Sequence, residues 1–403
     1  MLARLPGSWH GRPVSEADGK HRHEREIGAA HAVSPLELFF DLVFVFALTQ
    51  VTTLLADDLT WVGMLRGFAV LAAVWWAWVA FAWLTNSITI DDDLVSRLVV
   101  LLAMGAMLVV GLAAPGAFGD TAIVFGVAYF VVRALHVLLY LYTTRGDRDV
   151  FRAVARLAPG MMIAATLIVI AGFLPPGPAR VALWALALIV DFTSPLVSGT
   201  AGWKVDASHF TERHGLIIII ALGESLVALG IGATGADFTP GIVAAIALGV
   251  AVICGLWWLY FDIVSLAAER MLESVTGAAR AAMARDSYSY IHFFMVWGIV
   301  LVALGLKKTL LDVDAPLKTL AVIALFGGLA MYLLAHVAFR LRNTGTINTQ
   351  RLVTAVLLLA LIPVAMAVPA LVALSIATAV IVLLVVYETV RFREVRHRIR
   401  FGE

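Results

Sequence analysis

This sequence predicts an all-α polytopic membrane helix bundle of about 12 transmembrane helices, arranged as two parallel six-helix repeats. Three observations point there. Of 403 residues, 62% are hydrophobic and the mean hydropathy is +0.95, against roughly 45–50% apolar residues in an ordinary soluble domain. Apolar blocks of about 20 residues, enough to cross a bilayer as a helix, recur from Pro35 to Val390 with short connections. Landmarks of the first half return in the second at a nearly constant offset.

Residues 1–33 carry Arg4, Arg12, Lys20, Arg22 and Arg25 among polar neighbours. They lack the apolar core of a secretory signal and read as a cytosolic tail. Membrane repeats follow over 34–206 and 207–392, and 393–403 is a basic cytosolic tail. Spans are expected near 35–56, 61–85, 94–114, 120–143, 153–174, 179–199, 212–233, 239–265, 287–306, 317–341, 350–367 and 369–391. An even number of spans places both termini on one side. If that side is cytosolic, 23 of the 29 Lys and Arg fall in tails and inward loops, in clusters such as Arg145, Arg148, Arg152 and Arg156. Five face outward (Arg66, Arg180, Lys307, Lys308, Lys318), and Arg133 lies within a span. That is the positive-inside bias of a bacterial plasma-membrane protein. The net charge of +1 carries little beside this distribution, and a single cysteine, Cys254, excludes an intrachain disulfide.

The repeat begins with Glu37 ahead of Phe-Phe-Asp-Leu-Val-Phe-Val-Phe-Ala-Leu and Glu212 ahead of Arg-His-Gly-Leu-Ile-Ile-Ile-Ile-Ala-Leu when these stretches are aligned. Trp75 and Trp76 answer Trp257 and Trp258, Asp93 and Gly105 answer Asp286 and Gly298, and His136 answers His336. Six spans per repeat make the halves parallel, related by an axis along the membrane normal.

Ionisable residues at membrane depth are costly and mark candidate sites. Glu37 and Asp41 share one face at the start of the first span, where Ser34 and Pro35 favour helix initiation. Helix-dipole electrostatics is the plain explanation for Glu37. Asp41 lies two turns in among phenylalanines and calls for a cationic partner or a proton. In the fourth span Tyr129, Arg133, His136 and Tyr140 form a polar stripe that must face protein or water, echoed by Tyr332, His336 and Arg340. Arg133 needs an anion, and Asp191 and Glu224 lie at similar depth; a structural salt bridge competes with a role in binding or coupling. Glu224, in Leu-Gly-Glu-Ser-Leu, interrupts a nearly featureless span, with Gly223 beside it to admit a helix or ligand. Glu212, with Arg213 and His214, lies at the mouth of that span, about 18 Å from Glu224 along the axis, so the two mark depths of a polar route rather than an acid–base pair. Tyr288 and His292 share a face, where a satisfied core histidine is the plain reading. Asp262 and Glu388 are expected to reach the interface, Asp91, Asp92 and Asp93 form an acidic inward loop, and the run from Trp75 to Trp83 reads as membrane packing. No metal-ligand spacing, phosphate loop or nucleophile elbow appears, so no cofactor, metal or nucleic-acid partner is expected.

Ser34 through Val45, Glu212-Arg213-His214-Gly215-Leu216 through Leu222-Gly223-Glu224, and Tyr288-Ser289-Tyr290-Ile291-His292 resemble signatures of the low temperature requirement A (LtrA) family over essentially the whole chain. The resemblance implies a bacterial multipass protein of a family named for growth in the cold. It supplies no reaction, but stresses the carboxylate motifs matched here by Glu37, Asp41, Glu212 and Glu224. A fainter similarity, through Phe39-Phe40-Asp41, is to endosomal and bacterial potassium channels whose first span carries Phe-Ser-Asp.

The function expected from these features is secondary transport of a small solute or ion, with proton coupling through Glu224, a gate at Glu37 and Asp41, and Arg133 holding a carboxylate or anionic substrate. A cation channel is the alternative suggested by Phe-Phe-Asp, and a membrane-embedded lipid enzyme or cold-adaptation scaffold a third. An enzyme would need a close acid–base pair, which the sequence does not display. The bilayer is the expected partner, and the oligomeric state is open because lipid-facing and partner-facing surfaces have similar composition.

Overall fold

Hydrocarbon offers the backbone no water, so an apolar chain satisfies its N–H and C=O groups within helices. The computed structural model describes residues 33–88, 93–234 and 237–401. Among them are 12 helices long and apolar enough to span: α1 (Pro35–Asp57), α2 (Trp61–Ser87), α3 (Leu94–Gly116), α4 (Ala122–Thr143), α5 (Arg148–Phe173), α6 (Pro178–Ser198), α7 (Ala207–Ala233), α8 (Pro240–Glu273), α9 (Gly277–Thr309), α10 (Thr319–Thr344), α11 (Thr349–Met366) and α12 (Ala370–Arg391). A short basic helix, α13 (Arg393–Phe401), follows. The basic residues of the N-terminal tail, and Asp91 and Asp92, lie outside the described residues.

Polar caps set the starts. Ser34, Thr60, Asp93, Asp147, Asp206, Thr239 and Asn348 each accept a first-turn backbone N–H. Helices α5 and α7 therefore begin at Arg148 and Ala207, ahead of the expected 153 and 212, because they run past the apolar stretch to caps at Asp147 and Asp206. Bonds from Ser96 hold the Asp93 carboxyl below its usual range. Helix α8 breaks after Phe261 and resumes as Val264–Glu273.

Helices α2 and α9 lie at the centre, each with 83% of its apolar window buried, whereas α6 and α11 have 17% and 22% buried and occupy the periphery. Contacts of α1 and α7 with each other and with α2 and α9 join the halves. Outward from this centre, α1 packs on α3, α3 on α4, α4 on α5 and α5 on α6; α7 likewise packs on α9, α9 on α10 and α10 on α11.

The repeated landmarks occupy different surroundings. Trp75 and Trp76 are buried, while Trp257 and Trp258 are 45% and 38% exposed. Asp93 caps a helix, but Asp286 pairs with Arg285 and Arg342. Gly105 faces open space, whereas a Cβ at Gly298 would lie 2.8 Å from the Gly328 carbonyl oxygen, and one at Gly328 equally close to that of Gly298. Glycine at both positions is what lets α9 and α10 touch backbone to backbone.

Two spans contain π turns: α9 winds as a π-helix over Ala284–Ile291 and α10 over Ile323–Gly327. Such turns loosen the backbone ladder, and side chains take up carbonyls there. His292 Nδ1 bonds the Ser287 carbonyl at 2.9 Å, and Trp75 Nε1 donates to that of Ser289 at 2.7 Å.

Candidate functional site

The α1–α7 contact is built from two matched i, i+4 pairs. Glu37 and Asp41 stand on one face of α1, His209 and Arg213 on one face of α7, and both cross-links span 172 residues of sequence, so the helices run parallel in constant register. Asp41 Oδ1 accepts from Arg213 Nη2 and from Trp78 Nε1, each at 2.9 Å. Glu37 lies 3.4 Å from Arg213 Nη1 through Oε1, while its Oε2 meets His209 Nε2 at 3.1 Å and accepts the Ser34 N–H at 2.9 Å. The Ser34–Glu37 capping box thus holds one carboxylate in place for two purposes. Asp41 and Arg213 are 1% and 0% exposed. Two ionised carboxylates facing one guanidinium leave one negative charge beyond what Arg213 neutralises.

Arg133 finds its anion in Asp191. Its Nη2 reaches Asp191 Oδ1 at 2.5 Å, Nη1 donates to the Trp76 carbonyl at 2.7 Å, and Tyr129 donates to Asp191 Oδ2 at 3.1 Å. The whole stripe, Tyr129, Arg133, His136 and Tyr140, is buried. Arg133, His136 and Asp191 line a cavity of about 60 Å³ with Trp76, Trp83 and Trp203, and the Ala80 backbone lies beside the His136 ring.

Glu224 is 0% exposed, and no cation forms an ion pair with it among the described residues. The Thr52 hydroxyl and the Lys307 ammonium are the polar groups around it; that hydroxyl also lies 3.2 Å from the Leu48 carbonyl, so its single proton serves either the carbonyl or the carboxylate. No helix crowds Gly223, beside which an added Cβ would meet nothing within 4 Å. Close helix approach, expected at that glycine, occurs instead at Gly298 and Gly328.

The family model for the bacterial low temperature requirement A protein (LtrA) matches residues 32–386. The chain belongs to the LtrA family. An uncharacterized protein of Rhizobium meliloti (strain 1021) is 31% identical to it over 280 residues, 67% of each chain. No solved structure matches. Family membership and the 12 candidate spans make this LtrA chain a bacterial multipass membrane protein.

Other candidates separate once placed. Glu212 lies on the exposed face of α7, accepting the Val33 N–H at 3.2 Å, so Arg213 and not Glu212 faces the α1 carboxylates. His292 is a satisfied core residue, bonded through Nε2 to Tyr260 Oη and through Nδ1 to the Ser287 carbonyl, each at 2.9 Å. His336 is buried with Nδ1 on the Tyr332 carbonyl at 2.8 Å and Nε2 unpartnered among the described residues. Glu388 and Asp262 are ion-paired, Glu388 with Arg351 and Asp262 with Arg396. The tryptophan run turns inward, where Trp75, Trp78 and Trp83 donate to Ser289, Asp41 and Ser289. Arg213 was within reach of sequence reasoning: His209 and Arg213 repeat the four-residue spacing of Glu37 and Asp41.

Proposed function

We propose that this LtrA protein is a cation-coupled secondary transporter of a small solute, in its simplest form proton-coupled, with Glu224 as the coupling carboxylate. The observation that carries this reading is a fully enclosed carboxylate at mid-span in α7 that makes no ion pair among the described residues and has the Thr52 hydroxyl beside it. An ionised, unpaired carboxylate costs several kcal/mol there even after relaxation. The site therefore holds either a proton or a cation, and a group that exchanges one for the other as access changes is the physical requirement for coupling. The Glu37–Asp41–Arg213–His209 cluster lies on the same helix, about 16 Å along it from Glu224, and would gate the terminus-bearing side.

Two parallel six-span repeats and cytosolic termini belong to the same proposal. Support comes from the parallel α1–α7 register, the matching order of neighbours in each half and the positive-inside bias.

Proteoliposomes with an internal pH dye, under separate proton, sodium and potassium gradients and a panel of amino acids and organic acids, test the assignment. One gradient should collapse on solute addition with wild type and persist with folded Glu224→Gln. Gradient-driven flux unchanged in that variant would refute the role of Glu224.

A further inference from the structure

A second cavity, of about 390 Å³, opens on the terminus-bearing face of the second half, between α8, α10, α11 and α12. We propose that it binds a small organic anion that carries a hydrogen-bond donor about one helical turn from its charge. The volume lies within the range of small-molecule sites.

Helix α10 turns His336, Phe339, Arg340 and Asn343 toward this space, a single face at i, i+3, i+4 and i+7. His336 forms the floor. It is 2% exposed, and its Nδ1 lies 2.8 Å from the Tyr332 carbonyl. A carbonyl accepts only, so Nδ1 carries the proton and Nε2 keeps a bare lone pair, unpartnered among the described residues. A buried acceptor of this kind calls for a donor, which a ligand or a water in the cavity can supply. Thr389 Oγ1, also unpartnered, borders the same space.

The charge follows from subtraction. Arg351 is held in a fork by Glu388, at 2.9 and 2.8 Å, and Asp262 is met by Arg396. Arg340 donates Nε to Thr346 Oγ1 at 2.9 Å and has no carboxylate partner among the described residues. One guanidinium is left over, whose planar fork suits a carboxylate or phosphate. His336 and Arg340 are four residues apart, about 6 Å along the axis, which sets the spacing of the ligand's donor and anion. Trp258 and Phe339 supply apolar wall for the body between them. The inference does not depend on Glu224 or on transport.

The test uses the full chain with Cys254→Ser, which removes the only native thiol, and Ala267→Cys in the cavity wall. Modification by an anionic methanethiosulfonate (sulfonatoethyl) and a cationic one (trimethylammonioethyl) is timed, each rate normalised to that with free 2-mercaptoethanol. The anionic reagent should be favoured about tenfold, and Arg340→Gln, at an exposed position, should bring the ratio close to one. In the Arg340 protein 4-hydroxybenzoate should slow modification more than benzoate, with tyramine without effect, and His336→Phe should erase the difference between the first two. A ratio of one or less, a ratio that survives Arg340→Gln, equal protection by tyramine, or a thiol that reacts with neither reagent would each overturn the proposal.

Discussion

Replacing Arg213 with Met retains an unbranched apolar stem and removes the charge that two buried carboxylates share. At 2.9 Å from Asp41 and 3.4 Å from Glu37, each contact carries about 5 kcal/mol of attraction at an effective dielectric of 20. Desolvation offsets much of this, so the net loss expected for a broken buried pair is about 3–5 kcal/mol. Asp41→Asn should cost less, about 2 kcal/mol, because the amide oxygen still accepts from Trp78 and Arg213 keeps Glu37. The double variant should fall short of the sum by about 2 kcal/mol or more, because once one partner is absent the other loses little. Reversible unfolding by sodium dodecyl sulfate in mixed micelles, followed by tryptophan emission, reads all four proteins; Trp78 lies under the guanidinium, with Arg213 Cζ 5.9 Å from its ring centroid. Additivity within about 0.5 kcal/mol would refute the coupling. Arg213→Lys should recover part of the loss, because an ammonium supplies charge without the fork that reaches both carboxylates.

Two further outcomes follow from packing and from surface charge. Gly298→Ala places a methyl against the Gly328 carbonyl and should cost about 1–3 kcal/mol in the same assay, whereas Gly223→Ala, which points into open space, should change stability little; equal effects would contradict the backbone contact between α9 and α10. Hydrogen bonding to Lys204 holds the Asp147 carboxyl below its ordinary 3.8, and Asp147 holds the Lys204 ammonium above its ordinary 10.5. The lowered acid loses its contribution only as pH falls through its folded value, and the raised base only as pH rises through its own. Between those ordinary values Lys204→Met should therefore shift thermal stability by a small amount independent of pH and removed by molar salt; a shift that titrates near neutrality would contradict this.

The twelve spans were legible because hydrocarbon thickness imposes a length, and length is a one-dimensional property. Expected ranges such as 61–85 and 369–391 lie within a few residues of Trp61–Ser87 and Ala370–Arg391. Ends that leave the apolar layer were harder: the first turns of α5 and α7 are polar, and only their caps reveal them. The short amphipathic piece Val264–Glu273 and the two π stretches left no signature in an apolar average, since each depends on which neighbour a given carbonyl meets. Within the site, depth was readable and direction was not. Arg133 demanded an anion, but Asp191 and Glu224 at equal depth were indistinguishable until helix rotation placed one against it and left the other alone. Glu212 and Arg213 differ by 100° about the same axis, which is the difference between a solvated carboxylate and the centre of an ion cluster.

The π-wound stretch of α9 makes that span a vernier. One residue added to a regular helix advances everything beyond it by about 100°, and here the advance is absorbed between Ala284 and Ile291. Upstream and downstream halves of the span thus keep different phases. The first presents Arg280 to the Val205 carbonyl, the second presents His292 to Tyr260 and Gly298 to Gly328. Sliding the wide turn along the axis would rotate the residues it passes, Tyr288 and Ser289 among them, past Trp75 and Trp83 while both ends of the span stayed where they are. A bundle whose most deeply buried helices are α2 and α9 thereby carries this change of phase at its core.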